Sequence, residues 1–372
     1  VYSIRKKGLE MEFCDLSAQY AAYKTEIDQA MASVIASTAF INGPEVKTLE
    51  QELIAFSGAP HAIACANGTD ALQVPLMAMG VGPGDEIIVP DFTFFATAEV
   101  VSVVGATPVF ADIDPVTFNI TVDTIRPLIT KKTKGIIPVS LYGQMPDLEA
   151  ISALAREHGL WVMEDGAQSF GATRNGSRST SVTGLATTSF FPAKPLGCYG
   201  DGGAIFCQDE ALAARIRVLC NHGQVKRYHH GIVGLNSRLD SLQAAILRVK
   251  LRHFQDELTA RDRIATMYTD RLRGVVSTPV VDASCFSAWA QYTIRVPHRE
   301  KVQAHLQSKG IPTAVHYPVP LHRQEVFAHL GITDDRCPNA TLASKEVMSL
   351  PMHAFLTEAQ IDEVTTAMKE AL

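Results

Sequence analysis

Residues 160–208 read LWVMEDGAQSFGATRNGSRSTSVTGLATTSFFPAKPLGCYGDGGAIFCQ, and three apolar runs inside them set the architecture. LWVMED (160–165), TSFFPA (188–193) and GGAIFCQ (202–208) are short, rich in aliphatic and aromatic residues, and mostly lack polar alternation. That is the pattern of strands covered on both faces. The last two stand about nine residues apart, too close for a helical crossover, so that pair is predicted to be antiparallel. Upstream, EIIVP (86–90), TPVFADI (107–113) and GIIPVSLYG (135–143) look alike and alternate with helix-like segments at 69–79, 95–104, 147–158 and 209–220. Strand and helix in alternation predict an α/β fold with a mainly parallel sheet and helices on both sides.

Lys194 stands between Pro192 and Pro195, with no Asp or Glu within six residues on either side. A lone lysine is ordinarily a solvated surface residue, and its reactivity requires desolvation or cationic neighbours. Asp165 closes LWVMED and is followed at once by GAQSFGA; taken alone it also reads as a cap on the next turn. Ligands of open parallel sheets collect at the carboxyl ends of the strands, and two more loops are predicted there. Asn67-Gly68-Thr69-Asp70 ends the apolar segment HAIACA and opens a helix. Its N–H groups and hydroxyl suit an anion, although on its own a Thr or Asp there is more often just an N-cap. Phe92, Thr93 and Phe94 follow IIVP, and by themselves they read as core.

Together the four loops fit one ligand: a phosphorylated aromatic pyridine carrying an aldehyde. The phosphate goes to Gly68, Thr69 and the hydroxyl of Ser189, and the ring sits between Phe94 and the segment around Ala167. Asp165 pairs with the pyridinium nitrogen and Lys194 forms the imine. Pyridoxal phosphate enzymes need this lysine and this acidic partner. The two lie 29 residues apart, on loops after successive strand candidates.

The whole chain bounds these readings. Its 372 residues suggest about two domains. A long helical stretch from about 239 leads out of the first, giving a large domain over 11–255 and a small α+β domain over 256–372. A net charge of −6 argues against nucleic acid as a partner. No apolar run approaches membrane-spanning length, so no membrane partner is expected. Seven cysteines without CxxC or metal-ligand spacing imply reduced thiols in a cytoplasmic protein. The basic N-terminus VYSIRKKGLE has no apolar h-region and reads as an upstream extension.

At SFFPAKPLGCYGDGGA joined to EDGAQSFGA, with NGTDAL, VGPGDEIIVPDFTFFATAEVV, PVSLYGQMPD and GLNSRLDSLQAAIL, the chain resembles the DegT/DnrJ/EryC1/StrS family of nucleotide-sugar aminotransferases. The match runs from about Phe13 to the C-terminus. The resemblance implies the type I aspartate-aminotransferase fold, with a seven-stranded, mainly parallel sheet and a small C-terminal domain. It implies pyridoxal 5'-phosphate as cofactor, Lys194 as the Schiff-base lysine, Asp165 as the ring-nitrogen partner and Gln168 at the phenolic oxygen. Gly68, Thr69 and Ser189 match phosphate contacts, and Phe94 matches the stacking aromatic. Asn236 matches a residue reaching the phosphate from a second subunit of a homodimer with shared active sites. Arg238, His316 and Tyr317 look like substrate-side groups, although His316 reads equally as a core-edge residue. Segments such as RYHH, TAVHYP and VMSLPMH are similar to relatives that aminate a UDP-linked 2-acetamido-3-keto hexuronic acid with L-glutamate for O-antigen synthesis. A 4-keto or 6-deoxy nucleotide sugar is the alternative substrate. A cofactor-binding regulator is the alternative outside catalysis.

Overall fold

The computed structural model describes residues 11–372; VYSIRKKGLE, expected to be an extension, lies outside the described residues. Seven strands form one sheet: β1 (His61–Cys65), β2 (Glu86–Pro90), β3 (Thr107–Ala111), β4 (Thr133–Ile136), β5 (Trp161–Asp165), β6 (Leu185–Ser189) and β7 (Gly203–Cys207). Their spatial order is β1-β7-β6-β5-β4-β2-β3. Every neighbouring pair is parallel except those made by β7, which runs antiparallel to both β1 and β6. The predicted antiparallel pair is therefore present, and the sheet has the expected mainly parallel α/β form. Strands β6 and β7 are buried at all five positions each, which explains their lack of polar alternation.

Two expected strands differ from the structure. GIIPVSLYG is continuous strand only up to Ile136 and then makes a single bridge from Val139 to Asp165, because Pro138 has no N–H to offer a ladder and Tyr142 takes a left-handed φ of 58°. TSFFPA supplies only the end of β6, whose body is the less apolar Leu185-Ala-Thr-Thr. Phe190 and Phe191 fall beyond it, where Cys198 N donates to Phe190 O at 2.7 Å and starts a turn.

Helices α1 (Leu16–Ser37), α2 (Pro44–Ser57), α3 (Gly68–Ala78), α4 (Ala96–Val103), α5 (Leu148–Glu157) and α6 (Glu210–Cys220) surround the sheet. The long helix α7 (Ser241–Leu272) spans about 48 Å at 1.5 Å per residue. Its first half packs in one core with Leu49, Leu53 and Phe170, its second in another with Tyr292, Met348 and Val364. That second core holds the antiparallel pair β8 (Tyr292–Arg295) and β9 (Val347–Leu350), with α8 (Arg299–Ser308) and α10 (Glu358–Ala371). Between them, α9 (Pro338–Glu346) and the preceding turns put Leu321, Phe327 and Ala340 into the core of the large sheet. Among the described residues no helix is long and apolar enough to cross a membrane.

Candidate active site

The topology brings the carboxyl ends of β1, β2, β5 and β6 to one edge, as expected for a ligand crevice. Strand β7 starts there, with Gly203 opposite both Cys65 and Ser189. Two glycines make the approach possible. A Cβ on Gly68 would stand 2.7 Å from the Cβ of Ser189, and one on Gly203 would stand 2.5 Å from Asn67 O. Asn67 caps α3 by accepting from Asp70 N at 2.8 Å. That cap leaves the N–H groups of Gly68 and Thr69 at the helix start for an anion, beside the Ser189 hydroxyl.

Asp165 ends β5 almost fully buried, at 5% exposure. Its carboxylate accepts from Thr97 Oγ1 at 2.9 Å and from Ala167 N at 3.2 Å. Burial pushes its pKa up, while those two bonds and the Lys194 charge pull it back. Lys194 shows the mirror image: burial pushes its pKa down, and the Asp165 charge raises it. The amine makes no hydrogen bond or ion pair with a described residue. Its turn is fastened from below. Lys194 N donates to Phe191 O at 2.8 Å, and the buried Lys250 amine donates to Gly197 O. Burial drives Lys250 down to about 8, against the pull of Glu257.

Gln168, on the turn after Asp165, is held at both ends of its amide. Its Oε1 accepts from Tyr142 N at 2.7 Å and its Nε2 donates to Tyr317 OH at 3.0 Å. Tyr142 OH donates to His316 O, so the 316–317 segment rests on the floor of the site. Phe94 keeps 56% of its surface exposed and lies 6.2 Å from the Tyr317 ring. Thus Gly68, Thr69, Phe94, Asp165, Gln168, Ser189, Lys194, His316 and Tyr317 gather around one edge. Asn236 and Arg238 flank Ser237, whose hydroxyl accepts from Ala66 N at 3.4 Å, but neither makes a bond to the Lys194 pocket among the described residues. Asn236 is exposed, and the Arg238 guanidinium donates to Asn221 Oδ1 at 2.8 Å.

Several neighbours carry no signal in one sequence. Thr97 sits in an apolar helix pattern, and only its bond to Asp165 marks it. Glu164 faces away from Asp165, as strand alternation requires. It is fully buried and accepts from Ser140 Oγ at 2.6 Å, Ser179 Oγ at 2.8 Å and Thr180 N at 2.8 Å. Behind Lys194, a small cavity is lined by Gln19, Pro192, Glu257, Arg261 and His353. These come from four segments at least 65 residues apart, so no local motif announces them.

Two histidines here predict acid sensitivity. Burial, aided by the Lys194 charge, pushes His316 down to about 4; burial and the Arg261 charge do the same to His353. An unfolded chain binds protons at both from an ordinary pKa of about 6.5. Stability therefore falls as pH drops from about 6.5 toward 4, by about 2 kcal/mol per histidine at pH 5 relative to pH 8. Raised Glu164 and Asp165 work in the opposite sense, so the clean measurement is a difference. Denaturant melts of His353→Gln and the parent at pH 8 and pH 5 should show the variant losing about 2 kcal/mol less on acidification.

The pyridoxal phosphate expected from the sequence fits these residues. With no Cβ at Gly68 to collide with Ser189, the helix start and the Ser189 hydroxyl lie side by side where a phosphate can bind, the Lys194 amine is desolvated and makes no bond to a described residue, and Asp165 keeps a buried carboxylate for a ring N–H. A model of the DegT/DnrJ/EryC1/StrS aminotransferase family matches residues 21–369. The chain is 51% identical to the UDP-2-acetamido-2-deoxy-3-oxo-D-glucuronate aminotransferase of Pseudomonas aeruginosa, covering 96% of this chain and 99% of that protein. It is 48% identical to a pleiotropic regulatory protein of Geobacillus stearothermophilus, covering 97% and 98%. Among solved structures, S. venezuelae DesV in complex with a ketimine intermediate superimposes with a TM-score of 0.94 at 38% identity, covering 96% of this chain and 97% of that one.

Proposed function

The chain belongs to the DegT/DnrJ/EryC1/StrS aminotransferase family, and we propose that it moves an amino group from L-glutamate to the C3 ketone of a UDP-linked 2-acetamido-3-keto hexuronic acid. It is a pyridoxal phosphate enzyme. The observation that carries the substrate is the 51% identity, over nearly the full length of both chains, to a relative named for that ketone. When bound, pyridoxal phosphate supplies an electron sink for the carbanion left as a proton departs from the amine-bearing carbon.

The chain's own residues do the rest. Lys194, whose pKa burial pushes down, would take that proton and return it to the carbon on the other side of the nitrogen. Asp165 holds a charge against the ring nitrogen. Gly68, Thr69 and Ser189 bind the phosphate, the exposed face of Phe94 covers the ring, and Gln168 offers its amide to the phenolic oxygen. His316 stays neutral at working pH and so does not repel a cationic Lys194. Asn236 and Arg238 serve the site of a second copy in a cytoplasmic homodimer. What favours this is their lack of any bond to the Lys194 pocket of their own chain, together with the exposure of Asn236. The product's acidic amino sugar suits a surface polysaccharide such as O-antigen.

Arg238 takes the uronate, and the glutamate carboxylates in turn, through its two-pronged fork. Arg238→Lys keeps the charge and loses the fork. It should cut the preference for the uronic over the neutral 3-keto sugar about 10- to 100-fold in kcat/KM, measured as single half-reactions. Unchanged selectivity removes Arg238 from that role. The same panel, extended to dTDP-linked 4-keto-6-deoxy sugars, tests the substrate: faster turnover of one of those overturns the uronate reading. The relative named as a regulator raises a second reading, a sensor without catalysis. Glutamate-dependent loss of the cofactor's visible band, with one equivalent of 2-oxoglutarate released, excludes it.

A further inference from the structure

Asp91 and His322 lie outside the group that faces the cofactor, yet they join the two walls of its pocket. Asp91 directly follows β2 and is fully buried; His322 is 4% exposed. Three hydrogen bonds tie Asp91 to the Leu321–His322 segment. Leu321 N donates to Asp91 O at 2.8 Å, His322 N donates to Asp91 Oδ1 at 2.8 Å, and His322 Nδ1 lies 2.6 Å from Asp91 Oδ2. On the far side of the ring, His322 Nε2 lies 3.0 Å from Asp334 Oδ1. Asp91 is three residues from Phe94 and six from Thr97, which holds Asp165. His322 is five residues from Tyr317, which holds Gln168. Phe92 completes the seam with its ring 6.2 Å from that of Tyr317, edge to face.

We propose that the Asp91–His322 pair is a clasp that positions Tyr317, and through it Gln168, over the cofactor site. The inference rests on reading that site as the pyridoxal phosphate pocket. Both ring nitrogens face carboxylates, so the imidazole carries two protons and bridges Asp91 to Asp334. The bond to Asp91 raises the His322 pKa most, burial opposes it, and Asp334 adds to the rise. The other charged or titratable groups around it are Arg323, which pairs with Asp334, Cys337 at the start of α9, and Asp112, which caps α9 by accepting from Ala340 N at 2.8 Å. The clasp is complete below the ordinary histidine pKa and is lost as pH rises through the raised one.

Asp91, His322 and Cys337 also converge closely enough to suggest a metal ion. The 2.6 Å between Asp91 and His322 is the spacing of a shared proton. Two tetrahedral zinc ligands at about 2.1 Å from the metal would stand about 3.4 Å apart. The short separation favours the clasp.

The test is a double-mutant cycle on the holoenzyme, read as kcat/KM of the glutamate half-reaction. His322→Gln and Tyr317→Phe should each lower it about tenfold, and the double variant should fall within about twofold of the worse single variant, since the first acts through the second. Independent losses, multiplying to about a hundredfold, overturn the proposal, because a purely structural role predicts that result. Should His322→Gln fail to fold, Asp334→Asn removes only the outer carboxylate. It should move the alkaline fall of kcat/KM to lower pH, and an unmoved limb overturns the clasp. One zinc per chain, lost in Asp91→Asn, also overturns it. A parent enzyme that binds no pyridoxal phosphate defeats the site reading instead, which keeps the two failures distinct.

Discussion

Lys194→Ala is expected to lower turnover by a factor on the order of 10⁴ or more while leaving the melting temperature unchanged or raised. The two directions have one cause. The amine is held where burial disfavours its charge, and it has no hydrogen-bond partner among the described residues to offset that burial. Such a group costs stability and is kept for its chemistry. Removing it relieves the desolvation and deletes the amine that would accept and return the substrate proton. The turn itself survives, because Lys194 N, Cys198 N and the Lys250 amine fasten it through backbone carbonyls that alanine leaves in place. Single-turnover kinetics with glutamate and a thermal melt measure the two consequences, and the visible spectrum reports whether the cofactor is still joined to the protein. Added methylamine should restore a small part of the rate, which separates a missing amine from a damaged fold. A variant that retains turnover and the visible band removes Lys194 from catalysis.

Much of this site is written locally in the sequence. Strands β2, β5 and β7 read as short apolar runs because both faces are covered, and each begins or ends within a residue or two of its expected bound. Asp165, Lys194 and the Asn67–Asp70 turn are legible because each breaks such a pattern at a strand end. Strand β6 is less visible: Thr187 and Thr188 are fully buried, with hydroxyls donating to Glu164 O and Gly166 O, and nothing local says that those bonds will form. The bonds that aim the functional groups are the least legible. Thr97 to Asp165, Tyr142 to Gln168 and Asp91 to His322 join residues 68, 26 and 231 positions apart. They exist only once the sheet order sets the strand ends side by side. Arg238 illustrates the opposite case: its motif is plain, but within the chain its guanidinium is bonded to Asn221 and to no group of the Lys194 pocket among the described residues.

Asp165→Asn should lower kcat about 10²- to 10³-fold with the cofactor still bound, the usual loss when one preorganised charge leaves a buried site. The amide is nearly the same shape, and the surroundings accept it. Its oxygen keeps the bond from Ala167 N, and its nitrogen faces the Thr97 hydroxyl, which then turns its proton toward Thr93 Oγ1, 3.4 Å away. Packing is preserved and charge is not. Without the carboxylate, nothing holds the proton on the ring nitrogen, and the electron sink weakens at the step where the substrate proton departs. The Lys194 amine is affected too. The Asp165 charge raises its pKa against the effect of burial, so the variant amine loses its proton at lower pH. The acid limb of the pH–rate profile should therefore move toward lower pH even as the plateau falls. A merely destabilised pocket lowers the plateau and leaves that limb in place. Stopped-flow half-reactions from pH 5 to pH 9, run beside a cofactor titration, separate these outcomes, and a plateau within about threefold of the parent would detach Asp165 from the chemistry.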